Sequence, residues 1–284
     1  MLSNIHRIMY YQDKHSQRNN KGRKENRGRK ENPYIKIYEH TVEYCRKAKF
    51  PVCKPVIYQY DSDDFSDENI LSQAELFNEP AMILVENIDS FDMARNLDKV
   101  SNTKRVMVLN LASDIRSGGG VKTGAKAQEE DLYRKSNYFE ANSPNFYPLK
   151  YNEVIYSPSV HIIKDSSYKL LSNTCEVSCL AVAAIRNPST HEVNNKKTYA
   201  NAIDIKITQD KIDMIFKVAI KHEHTELVLG AIGCGAFHNP TEEIALMFKN
   251  SLAKYSKYFK KIGFAILSPM GNDNFDIFHK ILME

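Results

Sequence analysis

The chain has 284 residues, enough to bury a substantial core, and its 42% hydrophobic and 26% charged residues are ordinary for a soluble globular protein. No apolar run approaches the ~20 residues that a membrane-spanning helix needs, and the first 17 residues lack the features of a secretory signal. We therefore expect no membrane partner and an intracellular protein, cytoplasmic or nuclear.

The charge is unevenly distributed along the chain. The formal net charge is +4, but residues 1–32 hold nine Lys or Arg against three Asp or Glu, a net charge of +6. Residues 15–32 contain the near-duplicates GRKEN and RGRKEN and no aliphatic or aromatic side chain. We predict a disordered basic tail over 1–32. It is either a solvated tail without a specific partner, a nuclear-import signal, or a contact for nucleic acid or another polyanion.

The remaining residues, 33–284, are predicted to form one domain, with 33–100 as an N-terminal accessory region. The first predicted element is a helix over 35–50, whose apolar face contains Ile37, Val42, Cys45 and Ala48. The acidic stretch 61–69 is interpreted as a solvated loop.

Short apolar runs then alternate with helical patterns. Strands are predicted over 81–86, 105–112, 154–157, 177–184, 227–233 and 263–267, and helices over 125–141, 209–223, 241–259 and 273–283. The helix from Thr241 has Asn239 as its predicted cap and Pro240 in its first turn. Its predicted apolar face is Ile244, Met247, Phe248, Leu252 and Tyr255. This alternation predicts a three-layer α/β/α protein with a parallel or mixed sheet, in which ligands bind beyond the carboxyl ends of the strands.

The cysteines do not form a recognisable framework. The five are Cys45, Cys53, Cys175, Cys179 and Cys234, and their spacing indicates reduced, buried thiols. The His-Glu-His at 222–224 has no matching ligand cluster, so neither a metal nor another cofactor is predicted.

Two glycine-rich segments follow predicted strands. In SGGGVKTGAKAQEE, Gly118, Gly119 and Gly120 precede a helix, so free amides there can converge on an anion. In LVLGAIGCGAFHNP, a strand runs into Gly230, Gly233 and Gly235, an arrangement that suits a diphosphate. Each segment alone is equally typical of a tight turn, but two in one domain favour a ligand site.

Gln128, Glu129 and Glu130 begin the helix after the first segment. Successive helical residues point about 100° apart, so the two carboxylates cannot face each other across a scissile bond. At most one of them transfers the proton. Acidic residues are also common in a first helical turn, where they stay exposed.

Together these segments resemble the poly(ADP-ribose) glycohydrolases of the microbial type, which are macrodomain proteins. The resemblance rests on GGG followed seven residues later by QEE, and on FYPL, YSPSVHIIKD, VSCLAVAAIRNP and LVLGAIGCGAFHNP in the same order. It covers roughly residues 34–284. It implies a macrodomain-like fold with a mixed central sheet and an N-terminal helical extension.

The resemblance also implies a reaction and a set of site residues. The enzyme would hydrolyse the ribose–ribose O-glycosidic bond of poly(ADP-ribose), with Glu130 as the general acid and base and Glu129 holding ribose hydroxyls. The implied substrate-binding residues are Asn110, Ser113, Gly118, Gly119, Gly120, Val121, Gln128, Gly233, Cys234, Gly235, Ala236 and Phe237, the last packing on a ribose. Asp114 to Ser117 depart from the family pattern, as does His238.

Two other functions remain open at this stage. One is removal of single ADP-ribose groups from protein or nucleic acid, and the other is non-catalytic binding of ADP-ribose. The substrate is expected to be poly(ADP-ribose) or an ADP-ribosylated protein, and the enzyme is expected to be a monomer.

Overall fold

The computed structural model describes residues 32–72, 74–101, 106–194, 196–269 and 271–284. The predicted basic tail, apart from Asn32, lies outside these residues. None of the helices in the described ranges is long and apolar enough to cross a membrane.

The centre of the domain is a seven-stranded mixed sheet. Its strands are β1 (Val56–Gln59), β2 (Met82–Glu86), β3 (Val106–Leu111), β4 (Glu153–Lys164), β5 (Leu170–Val182), β8 (Glu226–Leu229) and β9 (Lys261–Ala265). They lie in the order β1-β4-β5-β3-β8-β9-β2. The pairs β1–β4 and β4–β5 are antiparallel, whereas β5, β3, β8, β9 and β2 run parallel. A separate hairpin joins β6 (Thr190–Val193) to β7 (Lys196–Tyr199).

Helices cover both faces of this sheet. They are α1 (Pro33–Ala48), α2 (Asp67–Leu71), α3 (Ser90–Ser101), α4 (Gln128–Lys135), α5 (Tyr138–Ala141), α6 (Ala202–Lys221), α7 (Thr241–Tyr255) and α8 (Asn274–Met283). Side chains alternate along a strand, so Val106 and Val108 of β3 join the apolar cluster of α3, α4 and α5, while Met107 and Leu109 join that of α6, α7 and α8. The predicted three-layer α/β/α architecture with a mixed sheet is confirmed.

Several predicted boundaries differ from the structure. The helix predicted over 125–141 is two helices, α4 and α5, because Ser136 between them leaves the helix and bridges Ile162 of β4. Strands β4 and β5 are 12 and 13 residues long, far beyond the predicted 154–157 and 177–184. The elements β1, α2, α3 and the β6–β7 hairpin were not predicted, since their runs are short or strongly polar.

Helix α1 buries only part of the predicted face, since Cys45 is buried and Val42 packs against the core, and it also buries residues that were not predicted. Tyr38, Thr41 and Cys45 are buried, whereas Ala48 is exposed. The Thr41 hydroxyl donates to the carbonyl of Arg134 in α4 at 2.5 Å, so part of this face is polar because it meets backbone rather than apolar side chains.

Three smaller predictions are wrong. The stretch 61–69 is not a simple loop, because it contains a 3-10 turn and most of α2 around the buried Phe65. Cys53 is exposed, although all five cysteines are free. Asn239 does not cap α7, since its buried side chain donates to the carbonyls of Ile185 and Gly233 instead.

Candidate active site

The site forms where the parallel strands end. The carboxyl ends of β3, β5, β8, β9 and β2 lie at one edge of the sheet, since these strands run in the same direction. The first glycine segment follows β3, and the second follows β8, its neighbour in the sheet. We call residues 112–121 the first loop and residues 230–240 the second loop.

The first loop encloses Glu129. The backbone N–H of Ser113 donates to Glu129 Oε2 at 2.8 Å, and that of Gly118 donates to Oε1 at 3.2 Å. The buried side chain of Asn110 donates to Oε1 at 3.3 Å. Glu129 is therefore held by the loop and by β3, with only 2% of its surface exposed.

Burial governs the ionisation of Glu129. Desolvation, with a smaller contribution from the neighbouring Glu130, raises the pKa of its carboxyl to about 8, against the opposing effect of the N–H donors from Ser113, Asn110 and Gly118. Burial therefore outweighs the N-terminus of α4, which by itself favours the ionised form of this carboxyl.

Glu130 is held at one oxygen only. The N–H of Gly120 donates to Oε1 at 2.7 Å, whereas the buried Oε2 has no hydrogen-bond partner among the described residues. A side chain at Gly119 would collide with this carboxylate, because its Cβ would lie 2.5 Å from Oε1. The arrangement orients one oxygen and leaves the other, which is buried, without a hydrogen-bond partner among the described residues.

The expectation of free amides in the first loop is wrong. Gly118 and Gly120 donate to the two glutamates, Gly119 donates to the carbonyl of Arg116, and Val121 donates to the carbonyl of Gly118. The Val121 side chain is buried in the core, so it has no surface for a ligand. A role of these residues in substrate binding remains a prediction.

Two further predicted binding residues, Gln128 and Ser113, form hydrogen bonds with the protein backbone. Gln128 accepts from the N–H of Leu111 at 2.9 Å and donates to the carbonyl of Leu109 at 2.8 Å, which fastens α4 to β3. It also lines the cleft described below. The Ser113 hydroxyl accepts from the N–H of Ile115.

A buried tyrosine cluster supports the acids, and the sequence did not reveal it. The Tyr133 hydroxyl bonds to Ser117 Oγ at 2.7 Å and accepts from the Asn142 amide at 2.8 Å. The same amide donates to the hydroxyl of Tyr147, and the Tyr138 hydroxyl accepts from Asn110. Burial raises the pKa of Tyr133 well above its usual range, so this hydroxyl stays neutral. In the sequence these tyrosines resemble ordinary core residues.

The second loop has the opposite hydrogen bonding. Within the described ranges, no hydrogen-bond acceptor is found for the backbone N–H groups of Gly233, Gly235, Ala236 and Phe237. Gly233 adopts φ of 76°, and its Cβ would lie 2.5 Å from the Asn239 amide, so only glycine fits there. Cys234 is half-buried, with its Sγ directed at the carbonyl of Ile232. Four N–H groups without an acceptor in one turn are a common feature of anion sites in proteins, and a role of this loop in ligand binding remains a prediction.

A cleft of about 860 Å³ runs along this edge of the sheet. It is lined by Gly233, Gly235, Ala236 and Phe237 on one side and by Gln128 on another. The cleft also contains residues that the sequence did not single out, and these are Tyr34, Asp89, Lys126, Arg134 and Tyr168. Across the described part of the chain, no three His, Cys, Asp or Glu side chains are grouped to hold a metal ion.

This fold and this site are those of a glycoside hydrolase of the α/β/α class, with a buried acid pair and a loop whose N–H groups lack acceptors among the described residues. The family described as "Microbial-type PARG, catalytic domain" matches residues 10–165, just over half of the chain. The chain therefore belongs to the family of microbial-type poly(ADP-ribose) glycohydrolase (PARG) catalytic domains.

Solved structures agree with this assignment. The chain is similar to PARG from Thermomonospora curvata, with a TM-score of 0.73, 23% identity, and coverage of 88% of this chain and 100% of that one. It is also similar to PARG from Deinococcus radiodurans in complex with ADP-ribose, with a TM-score of 0.67, 25% identity, and coverage of 81% and 94%. The predicted macrodomain-like fold is confirmed. No curated protein sequence matches the chain.

Proposed function

We propose that this glycohydrolase cleaves the ribose–ribose O-glycosidic bond of poly(ADP-ribose) with Glu130 as its general acid and base. The observation that carries the proposal is the carboxylate of Glu130, with Oε1 fixed by the Gly120 N–H and Oε2 buried without a partner. A proton-transfer group needs this combination of a fixed orientation and a free oxygen.

The reaction proceeds in two proton transfers. In the first, Glu130 gives its proton to the bridging oxygen as the bond between that oxygen and the anomeric carbon breaks, which leaves an oxocarbenium ion and a free ribose hydroxyl. In the second, a water attacks the anomeric carbon and returns a proton to Glu130. Glu129, which is buried and held by the N–H groups of Ser113 and Gly118, binds ribose hydroxyls of the substrate.

The second loop is proposed to bind the diphosphate. Its unused N–H groups at Gly233, Gly235, Ala236 and Phe237 support this role, and so does the ADP-ribose bound by the similar Deinococcus radiodurans enzyme. Phe237, whose ring lines the cleft, packs against a ribose.

The basic tail is proposed to contact a polyanion. Its net charge of +6 supports this. We propose that the enzyme acts as a monomer inside the cell, in the cytoplasm or the nucleus.

The test is incubation with poly(ADP-ribose) of wild type, Glu130→Gln and the matched control Glu39→Gln, an exposed acid of α1. Wild type and Glu39→Gln should shorten the polymer, and Glu130→Gln should be at least ~100-fold slower because one proton-transfer group is lost. Calorimetry with ADP-ribose should give similar affinities for all three proteins.

Each other outcome contradicts part of the proposal. An unchanged rate in Glu130→Gln overturns the role of this residue. Binding of ADP-ribose by wild type without any cleavage favours a non-catalytic reader, and cleavage of single ADP-ribose groups alone favours the second hydrolase activity.

A further inference from the structure

Arg186 lies between the two loops of the site. It follows β5, the neighbour of β3 on the side opposite β8, in the short connection to the β6–β7 hairpin. Its side chain is 35% exposed, and although it lies in the segment VSCLAVAAIRNP, the sequence assigned it no role.

The guanidinium of Arg186 covers the ring of Phe237. Its central carbon lies 4.0 Å from the ring centroid, which is within the range of a cation–π contact. The backbone at this point is also joined, since the N–H of Asn187 donates to the carbonyl of Phe237 at 2.9 Å. The planar guanidinium therefore packs on the ring of Phe237, a residue that lines the cleft.

The same guanidinium is tied to the first loop. Arg186 Nη2 donates to Asp114 Oδ1 at 2.5 Å. Asp114 is itself fixed, because its carbonyl accepts from the N–H of Leu149, and it follows Ser113, which holds Glu129. A buried lysine, Lys211, adds a second positive charge near Asp114 and donates to the carbonyl of Ala183 at 2.6 Å. Asp114 thus anchors Arg186 at the base of the loop that holds the acids.

We infer that Arg186 is a positioning residue that holds the Phe237 ring against the ligand, with Asp114 as its anchor. This inference rests on the proposed role of Phe237 in binding the ribose. It gives a function to Asp114, one of the positions at which the chain departs from the family pattern. Arg186 itself touches no reacting atom, so its removal should change affinity and leave the chemical step largely intact.

The test is a double-mutant cycle with Arg186→Ala and Phe237→Ala, read as the dissociation constant of ADP-ribose and as kcat on poly(ADP-ribose). Arg186→Ala should weaken ADP-ribose binding about tenfold and leave kcat within about threefold. In the Phe237→Ala background it should weaken binding by less than about twofold, because the ring through which it acts is absent. An equal loss in both backgrounds overturns the inference, as does a large fall in kcat at unchanged affinity.

Two milder variants keep the test valid if Arg186→Ala folds poorly. Arg186→Lys keeps the charge without the planar contact, and Asp114→Asn keeps a polar partner without the ion pair. Both should weaken binding in the same direction and by less than Arg186→Ala. Wild-type affinity in both variants overturns the inference.

A fluorescence measurement separates this inference from the proposed function. The chain contains no tryptophan, so Phe237→Trp introduces a single reporter at the ring position. Removing Arg186 in that variant should shift the emission to the red and increase quenching by acrylamide, without any substrate present. Identical quenching with and without Arg186 overturns the packing role even if the enzyme cleaves poly(ADP-ribose), whereas an inactive wild type contradicts only the proposed function.

Discussion

The two glycine loops follow neighbouring parallel strands, yet their backbone N–H groups differ in hydrogen bonding. In the first loop, Gly118 and Gly120 donate to Glu129 and Glu130 of the same domain. In the second loop, four consecutive or nearly consecutive N–H groups have no acceptor among the described residues. The first loop therefore holds the acids, and the second is left to hold the ligand.

The glycines themselves are required for different contacts. In the first loop, a Cβ at Gly118 would lie 2.6 Å from the ring of Tyr133, and one at Gly119 would meet the carboxylate of Glu130. In the second loop, Gly233 is confined by Asn239 and Ala184, whereas Gly235 has nothing within 4 Å of its Cβ position. A glycine-rich turn thus indicates close approach, but only the neighbours determine whether protein or ligand makes that approach.

The largest effect should come from Gly119→Ala. The added methyl group collides with Glu130 Oε1 at a residue whose φ is 51°, so the carboxylate must move. Steady-state kinetics on poly(ADP-ribose) should show a fall in kcat of about 100-fold, the usual cost of displacing a catalytic group by about 1 Å.

The matched control is Gly271→Ala. Gly271 also has a positive φ, of 86°, but nothing lies within 4 Å of its Cβ position. It should lose some thermal stability, as any alanine does at such a φ, and keep its kcat. A similar loss of kcat in both variants would mean that backbone strain, and not contact with Glu130, is responsible.

A smaller effect is expected from Gly233→Ala. This change forces Asn239 or Ala184 to shift and disturbs the proposed anion loop, so the KM for poly(ADP-ribose) should rise about tenfold with a lesser change in kcat. Gly235→Ala should keep the melting temperature of wild type, so any rise in its KM reports contact with the ligand. If Gly233→Ala lowered kcat as much as Gly119→Ala does, the division of roles between the loops would be wrong.

The pH dependence of stability should also change when Glu129 is replaced. The pKa of Glu129 is about 8 in the folded protein and near 4.5 in the unfolded chain, so its proton stabilises the folded state fully below pH 4.5. That contribution is lost as the pH rises to about 8. The free energy of unfolding in urea should therefore be compared at pH 5 and pH 8.5. Relative to wild type, Glu129→Gln should be more stable at pH 8.5 than at pH 5, because glutamine has no proton to lose. An equal difference at both pH values would contradict the raised pKa.

Local patterns predicted much of this protein. The periodicity of 241–259 identified the buried face of α7, with Ile244, Phe248 and Tyr255 all buried in the structure. The resemblance of the GGG and QEE segments to a known family led to its fold and reaction. These features depend on neighbouring residues or on spacing, which a sequence records directly.

Other features could not be predicted, because they depend on residues distant in the chain. Asparagine is a common helix cap, but in the tertiary structure the side-chain amide of Asn239 donates to the carbonyls of Ile185 and Gly233 instead. The cluster around Tyr133 and the contact of Arg186 with Phe237 likewise join separate segments.

The sequence by itself determined the alternation of strands and helices, the two glycine turns and the adjacent acids, because each is encoded within a few residues. Only the tertiary structure decided which N–H groups meet a carboxylate and which remain open. The reason is that every backbone N–H can donate to any acceptor, and the fold alone determines which acceptor comes within about 3 Å of it.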